Sequence, residues 1–293
     1  MSGNIFETIS YTKEEPLKKH TTFRIGGAAK YFFTPKNSTE IYDIICYCRE
    51  NHMPYYILGN GSNVLFSDDG YDGAVINIYN SMNDISVTGE SIYAMAGALL
   101  SKIAVTAKDN ELHGMEFAAG IPGTIGGAMV MNAGAYGGEM RDIVSYVDIL
   151  DIDGNIRKYS CEEMCFGYRK SIVSSDMVVV GAELKLQKGD RMEIETEMER
   201  LKQLRVSKQP LEYPSAGSTF KRPEGYFAGK LIEDTGLKGY RVGDAMVSEK
   251  HCGFVINCGN ATCNDVKALI GDVQDKVYEK FGVQLMPEVK IVG

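Results

Sequence analysis

Apolar and polar positions alternate along the chain with two periods, and the place where the period changes suggests where one domain gives way to the next. Over residues 38–52, Ile41, Ile44, Ile45 and Cys48 fall at i, i+3, i+4 and i+7, the spacing of one helical face. Asn37 and Glu40 stand before them as a capping pair, so a helix is predicted here. Residues 55–58 and 74–78 are short apolar runs flanking a glycine-rich loop and read as buried strands, which completes a first α/β unit. From residue 85 the period shortens to that of strands, in 85–89 and 91–97, with a helix over 99–110. Strands follow at 145–150 and 177–186, separated by the turn Asp153-Gly154-Asn155. Residues 191–205 put Ile194, Met198 and Leu201 on one face and mostly charge on the other, as a connecting helix would. A further domain begins near residue 206. Its last helix carries the stripe Val266, Leu269, Ile270, Val273, Val277 and Phe281 and is stopped by Gly282, after which the tail returns as a strand. The predicted organisation is α+β, with segments 1–80, 81–205 and 206–284 and a terminal strand over 285–293.

Composition narrows the function classes. At 293 residues and 44% hydrophobic content, the chain exceeds the usual single domain and can bury a substantial core. A formal charge of -8 argues against a broad nucleic-acid or anionic-membrane surface, so any phosphate site must be local. No apolar stretch reaches the roughly eighteen residues a membrane span needs, and the first residues lack a signal-peptide core. A cytoplasmic protein without membrane or nucleic-acid partners is expected, and no protein partner is predictable. Seven cysteines without a CxxC pair suit a reducing compartment. His251, Cys252, Cys258 and Cys263 have no standard zinc spacing, so no metal is expected and the cysteines read as small buried hydrophobes.

Two segments place glycine where a phosphate-binding backbone needs it. Gly59-Asn60-Gly61-Ser62-Asn63 follows a strand directly. The second runs from Gly120 through Gly123, Thr124, Gly126 and Gly127 to Asn132 and Gly134. Without a Cβ the backbone can approach an anion and adopt positive φ, so that successive N–H groups converge on phosphate oxygens. Ser62, Asn63 and Thr124 offer side-chain hydrogen bonds besides. Neither loop is GxGxxG, so a Rossmann fold has no support, and Gly229-Lys230 lacks the first glycine and the hydroxyl of a Walker A loop. Either loop alone is also compatible with a simple tight turn.

At these residues the chain resembles a known family. Thr21–Gly27, residues 58–70 and residues 114–140 are similar to the FAD-binding segments of the UDP-N-acetylenolpyruvoylglucosamine reductase family. Residues 166–171, 217–223 and 287–289 are similar to its three catalytic segments, and all six occur in the family's order. The resemblance implies a vanillyl-alcohol-oxidase-type FAD-binding fold in two subdomains, plus a C-terminal α/β substrate-binding domain. It also implies non-covalent FAD, NADPH as reductant, and UDP-N-acetylglucosamine enolpyruvate as the small-molecule substrate reduced to UDP-N-acetylmuramate for peptidoglycan. Residues 170–204 contain no tyrosine, so the chain resembles the shorter form without a tyrosine-bearing insertion.

The resemblance also assigns roles. Arg169 would hold the substrate carboxylate through its planar fork of donors. Ser218 would protonate the carbon left negative by hydride addition, a task that requires nearby cations to stabilise its alkoxide. Glu288, carrying a proton, would stabilise the developing charge. Lys208 aligns with a substrate-binding lysine, and Arg222 stands where other members carry Asn; read from charge, Arg205, Lys208, Lys221 and Arg222 form a local cationic patch that suits a diphosphate. Read from the residues alone, these are equally a surface ion pair, a serine bonding its own turn, and a solvated charged loop. Two other functions compete: a flavin oxidase of the same fold, often tethered through a histidine that residues 58–70 and 114–140 lack, and a nucleotide-binding protein without chemistry.

Overall fold

The computed structural model describes residues 5–79 and 81–293. Two compact units emerge: the first contains residues up to 12, 32–60 and 74–205, and the second 13–31, 61–73 and 206–293. Residues 32–60 and 81–205, read from sequence as parts of separate subdomains, therefore cluster together. Residues 206–293 cluster with two short segments from early in the chain.

In the first unit the helix Ser38–Glu50 buries Ile41, Ile44, Ile45 and Cys48, the stripe expected from its period. Asn37 Oδ1 accepts from Glu40 N at 2.9 Å, while the Glu40 carboxylate accepts from Lys36 N at 2.7 Å. The capping pair is thus reciprocal across one residue more than a standard capping box. Burial among apolar groups pushes the Cys48 thiol up to about 12. The strand Tyr55–Leu58 runs parallel to the strand Tyr71–Asn77, with Tyr55 opposite Ala74 and Leu58 opposite Asn77.

A five-stranded antiparallel sheet follows in the order 156–160, 144–150, 178–185, 91–95, 85–88. The turn at residues 153–155 joins 144–150 to Ile156–Ser160, a strand the sequence pattern does not announce because four of its five residues are exposed. The helix Ile125–Met131 packs on the strands Val178–Lys185 and Ser91–Met95. The helix Arg191–Lys208 buries Ile194 and Leu201 as expected and continues to the residues just before Pro210. The boundary between the units falls within it, after Arg205.

The second unit holds a four-stranded antiparallel sheet in the order 215–218, 254–257, 245–247, 241–242. Against its core lies the helix Cys263–Phe281, opened by a capping box: Thr262 Oγ1 accepts from Asp265 N at 3.0 Å and Asp265 Oδ2 from Thr262 N at 2.9 Å. Gly282, at φ 66, closes it in the left-handed conformation that a side chain would strain. Asp68 adds two acceptors at the same N-terminus, to Cys263 N at 2.7 Å and Asn264 N at 3.1 Å. The expected stripe is buried from Val266 to Val277, whereas Phe281 stays 37% exposed. Phe23, Ile25 and Leu65 join Val255, Leu285 and Val289 in this core. The tail strand Lys290–Val292 pairs in parallel with Val64–Phe66, which explains why residues 61–73 belong here.

Among the described residues no helix is long and apolar enough to cross a membrane. Nor do three or more His, Cys, Asp or Glu side chains gather as a metal site would require.

Candidate active site

In the first unit Gly59 and Asn60 lie beside the second glycine segment. Asn60 Nδ2 donates to Pro122 O at 2.7 Å, and a Cβ added to Gly59 would lie 2.6 Å from Thr124 Oγ1. Buried Asn77 donates to Gly59 O at 3.2 Å and fixes the loop from below. Thr124, 2% exposed and extended, caps the helix Ile125–Met131 by accepting from Gly127 N at 3.4 Å.

The next two amides are used by the protein itself. Ile125 N donates to Ala98 O at 2.8 Å and Gly126 N to Ala96 O at 2.9 Å. A Cβ on Gly126 would sit 2.9 Å from the Ala96 Cβ, so packing against the sheet demands glycine there. Both the N–H and the Cβ position of Gly126 thus face Ala96. Gly127 is exposed and Gly59, Asn60 and Gly123 are half-buried. Three of those four residues are glycines and present backbone without a Cβ.

The helix ends at Asn132, which takes the left-handed conformation at φ 43 and is 1% exposed. Its side chain was expected at the cofactor, but the protein occupies both ends of the amide. Oδ1 accepts from Arg141 N at 3.0 Å, while Nδ2 donates to Glu139 Oε2 at 3.0 Å and to Gly167 O at 3.3 Å. Gly134 has a steric reason of its own, since a Cβ would lie 2.7 Å from Gly138 O across the short antiparallel pair they form.

Gly167 opens the turn that carries Arg169. Gly167 N donates to Lys170 O at 3.0 Å and Lys170 N to Gly167 O at 3.2 Å, leaving Tyr168 and Arg169 at the tip. Arg169 is held at φ 53, a strained conformation for a residue with a side chain. Ser171 Oγ donates to Val130 O at 2.9 Å, so the turn is fastened on both sides to the end of the glycine-rich helix. Arg205, expected with the substrate cations, groups with this unit, where its guanidinium donates to Gly120 O. Desolvation pushes its pKa down, opposed by Tyr136. An arginine nevertheless stays charged.

The second unit assembles the other two expected catalytic residues. Gly217, at φ 77, bends the strand Ser215–Ser218 through a register shift against Phe254–Asn257, and Ser218 is exposed opposite Phe254. Thr219, 3% exposed, has every polar group engaged. Its N donates to Gly253 O at 2.8 Å, its Oγ1 accepts from Val255 N at 2.9 Å, and its O accepts from Glu288 N at 2.8 Å. Glu288 is half-buried beside the Ser218–Thr219 junction. Phe220 bridges Pro287, and Lys221 N donates to Met286 O at 2.8 Å.

Of the loop residues 61–63, Gly61 sits at φ 62 where a Cβ would strike the His20 carbonyl, and Ser62 is half-buried. Asn63 Nδ2 donates to Glu288 O at 3.3 Å. Lys208, Lys221 and Arg222 remain with Ser218 in this unit. The Arg222 guanidinium lies 4.0 Å over the exposed Phe227 ring, and its Nε donates to Tyr226 O at 3.3 Å.

His251 was not anticipated as part of this region. Its ring sits beside Gly229 and Gly253, and its Nδ1 accepts from Gly253 N at 3.1 Å. Desolvation first, and the Lys208 charge as well, pull its pKa down. A single histidine, with no partner residue at a recognisable spacing, carries no signal of this in sequence.

Comparison with known proteins decides the family. Residues 209–292 match the model of the UDP-N-acetylenolpyruvoylglucosamine reductase C-terminal domain, and residues 29–160 match an FAD binding domain. The UDP-N-acetylenolpyruvoylglucosamine reductase of Caldanaerobacter subterraneus subsp. tengcongensis is 55% identical over 280 residues, 95% of this chain and 92% of that protein. The chain belongs to the UDP-N-acetylenolpyruvoylglucosamine reductase family. A solved reductase of the family, from Thermus caldophilus, aligns with a TM-score of 0.83 at 36% identity, covering 97% of this chain and 99% of that one. Cholesterol oxidase from B. sterolicum aligns over 64% of this chain and 39% of its own with a TM-score of 0.50 at 12% identity, a likeness of fold alone. The chain thus joins an FAD binding domain to a reductase-family C-terminal domain. Both glycine segments and the Asn132 anchor lie inside the matched FAD binding domain, and Ser218 and Glu288 inside the matched C-terminal domain.

Proposed function

We propose that this chain is a cytoplasmic FAD-dependent oxidoreductase that uses NADPH to reduce UDP-N-acetylglucosamine enolpyruvate to UDP-N-acetylmuramate, a precursor of peptidoglycan. Its partners are small molecules, with no nucleic acid or membrane surface among them. The observation that carries the reading at the level of residues is the Thr219 hub, which sets Ser218 and Glu288 side by side through a 2.8 Å backbone bond within a domain of this reductase family. Bound FAD would supply the hydride chemistry for the terminal methylene carbon, with NADPH as reductant. Gly59, Asn60, Gly123, Thr124 and Gly127 are the residues suited to its diphosphate.

The chain's own side chains then handle charge and proton. Addition at the methylene leaves an electron pair on the neighbouring carbon, delocalised into the carboxylate. Arg169, pre-set by its strained turn, binds that carboxylate and favours the extra charge. Ser218 gives its hydroxyl proton to the carbon, and Lys221 and Arg222 offset the charge left on its oxygen until solvent restores the proton. Glu288 in its protonated form donates a hydrogen bond to the developing anion. Lys208 and Arg222 supply cations for the diphosphate.

The test is anaerobic incubation with equal amounts of NADPH and the enolpyruvyl UDP-sugar, followed by mass spectrometry. The product should be heavier by two hydrogens, and in deuterated water should carry one deuterium at the carbon beside the carboxylate. Oxygen consumption with a small alcohol or sugar, and no product from the UDP-sugar, would instead support an oxidase.

A further inference from the structure

We infer that Asn63 is a positioning residue for Glu288, through which the glycine loop sets the acid against Ser218; this rests on the function proposed above. Residue type alone assigns Asn63 to the cofactor, as one more polar side chain in a phosphate-binding loop. The hydrogen bonds place it elsewhere. Its Nδ2 donates to Glu288 O at 3.3 Å, and its own carbonyl accepts from Lys290 N at 3.0 Å. Glu288 is thereby held from both ends of its peptide: N on the residue after Ser218, O on Asn63.

The loop that does the holding is itself fixed. Gly61 O accepts from Thr22 N at 3.2 Å, and the positive φ of Gly61 brings the chain against His20 where no Cβ fits. Thr22 Oγ1 in turn donates to Ser215 O at 2.7 Å, on the strand that ends in Ser218. The circuit therefore closes: Ser215–Ser218, Thr219, Glu288, Asn63, Gly61, Thr22 and back to Ser215. Loss of the Asn63 amide opens that circuit at its link to Glu288 O. The carboxyl of Glu288 then samples a wider range of positions relative to the Ser218 hydroxyl, which costs the proton-transfer half of the reaction and leaves the flavin-reducing half alone.

Asn63→Ala and the near-isosteric Asn63→Asp, which removes the donor, test this in the full-length holoenzyme, alone and combined with Glu288→Gln. Flavin content and the rate of flavin reduction by NADPH should stay within about 3-fold of the parent. Reoxidation by the enolpyruvyl UDP-sugar should slow about 10-fold or more in both single variants, in the range of couplings between residues that share a network. In the Glu288→Gln background, the same substitution of Asn63 should slow reoxidation by less than about 3-fold, because the group it positions is already gone. Loss of flavin, equal slowing of both half-reactions, unslowed reoxidation, or a full additive effect in the Glu288→Gln background would each overturn the proposal. A wild-type protein that the enolpyruvyl UDP-sugar fails to reoxidise would overturn the proposed function first, and the role of Asn63 with it.

Discussion

The turn that carries Arg169 and the strand junction that carries Ser218 and Glu288 are secured in different ways. The turn is fastened by side chains: Asn132 and Ser171 each reach a backbone carbonyl, and a residue at φ 53 sits between them. Backbone pairing frames the junction, with Thr219 bonded to Gly253 and Glu288, and Lys221 to Met286, and the Asn63 amide adds a bond to Glu288 O. A turn held by side chains concentrates its vulnerability in one or two residues that need not touch any ligand. A junction held by backbone pairing lets the reactive side chain be replaced with little effect on the frame around it.

The largest effect expected from this contrast is kinetic and confined to one half-reaction. Ser218→Ala should slow reoxidation by the enolpyruvyl UDP-sugar about 10²- to 10⁴-fold, the usual worth of a positioned proton donor, while NADPH reduces the flavin within a few-fold of the wild-type rate. Ser218 is exposed, so the melting temperature should hardly move. Equal slowing of both halves would make Ser218 a structural residue.

Asn132→Ala should show the opposite pattern. It leaves the part-buried Arg141 N–H without its acceptor and retains a left-handed backbone that alanine disfavours, at a cost of about 2–3 kcal/mol. Differential scanning calorimetry should record a melting temperature lower by about 5–10 °C. An unchanged transition would show that the Arg169 turn does not depend on this anchor.

Gly126→Ala sharpens the comparison further. The added Cβ meets Ala96, so overpacking should cost about 1–3 kcal/mol. The fraction that remains folded should bind FAD with unchanged affinity, measured by fluorescence titration. Weaker binding by fully folded protein would place Gly126 at the phosphate after all.

The smallest effect lies at His251. Its pKa is lowered in the folded protein, so between that value and the unfolded value near 6.5 the unfolded chain binds more protons. Stability from this group is therefore fully present above pH 6.5 and declines as pH falls through 6.5 toward the folded pKa. His251→Gln should make the fall in melting temperature between about pH 7 and 5.5 shallower by a degree or so. A steeper fall in the variant would mean that the charged ring stabilises the fold.

What could be read from sequence follows the physics of burial. The helices Ser38–Glu50 and Cys263–Phe281 each bury one face, so their period and caps mark them. Ile156–Ser160 is a sheet-edge strand with little burial and leaves no such trace. The grouping of residues 13–31 and 61–73 with 206–293 depends on pairings such as Val64–Phe66 with Lys290–Val292, which no local pattern encodes. At the site, glycine composition marked both loops, and the family resemblance picked out Arg169, Ser218 and Glu288. It could not tell which way an amide points. Asn132 and Asn63 look alike in sequence to cofactor ligands, yet both bond to the backbone of the protein. Thr219 drew no notice because a buried, fully satisfied hydroxyl has no signature beyond its neighbours.

Transfer of reducing equivalents from NADPH to an enolpyruvyl UDP-sugar is read out by the absorbance of the purified protein near 450 nm under anaerobic conditions. A yellow protein is expected, whose band bleaches with one equivalent of NADPH and returns on addition of the enolpyruvyl UDP-sugar. A colourless protein, or a bleached band that returns only when oxygen is admitted, would contradict it.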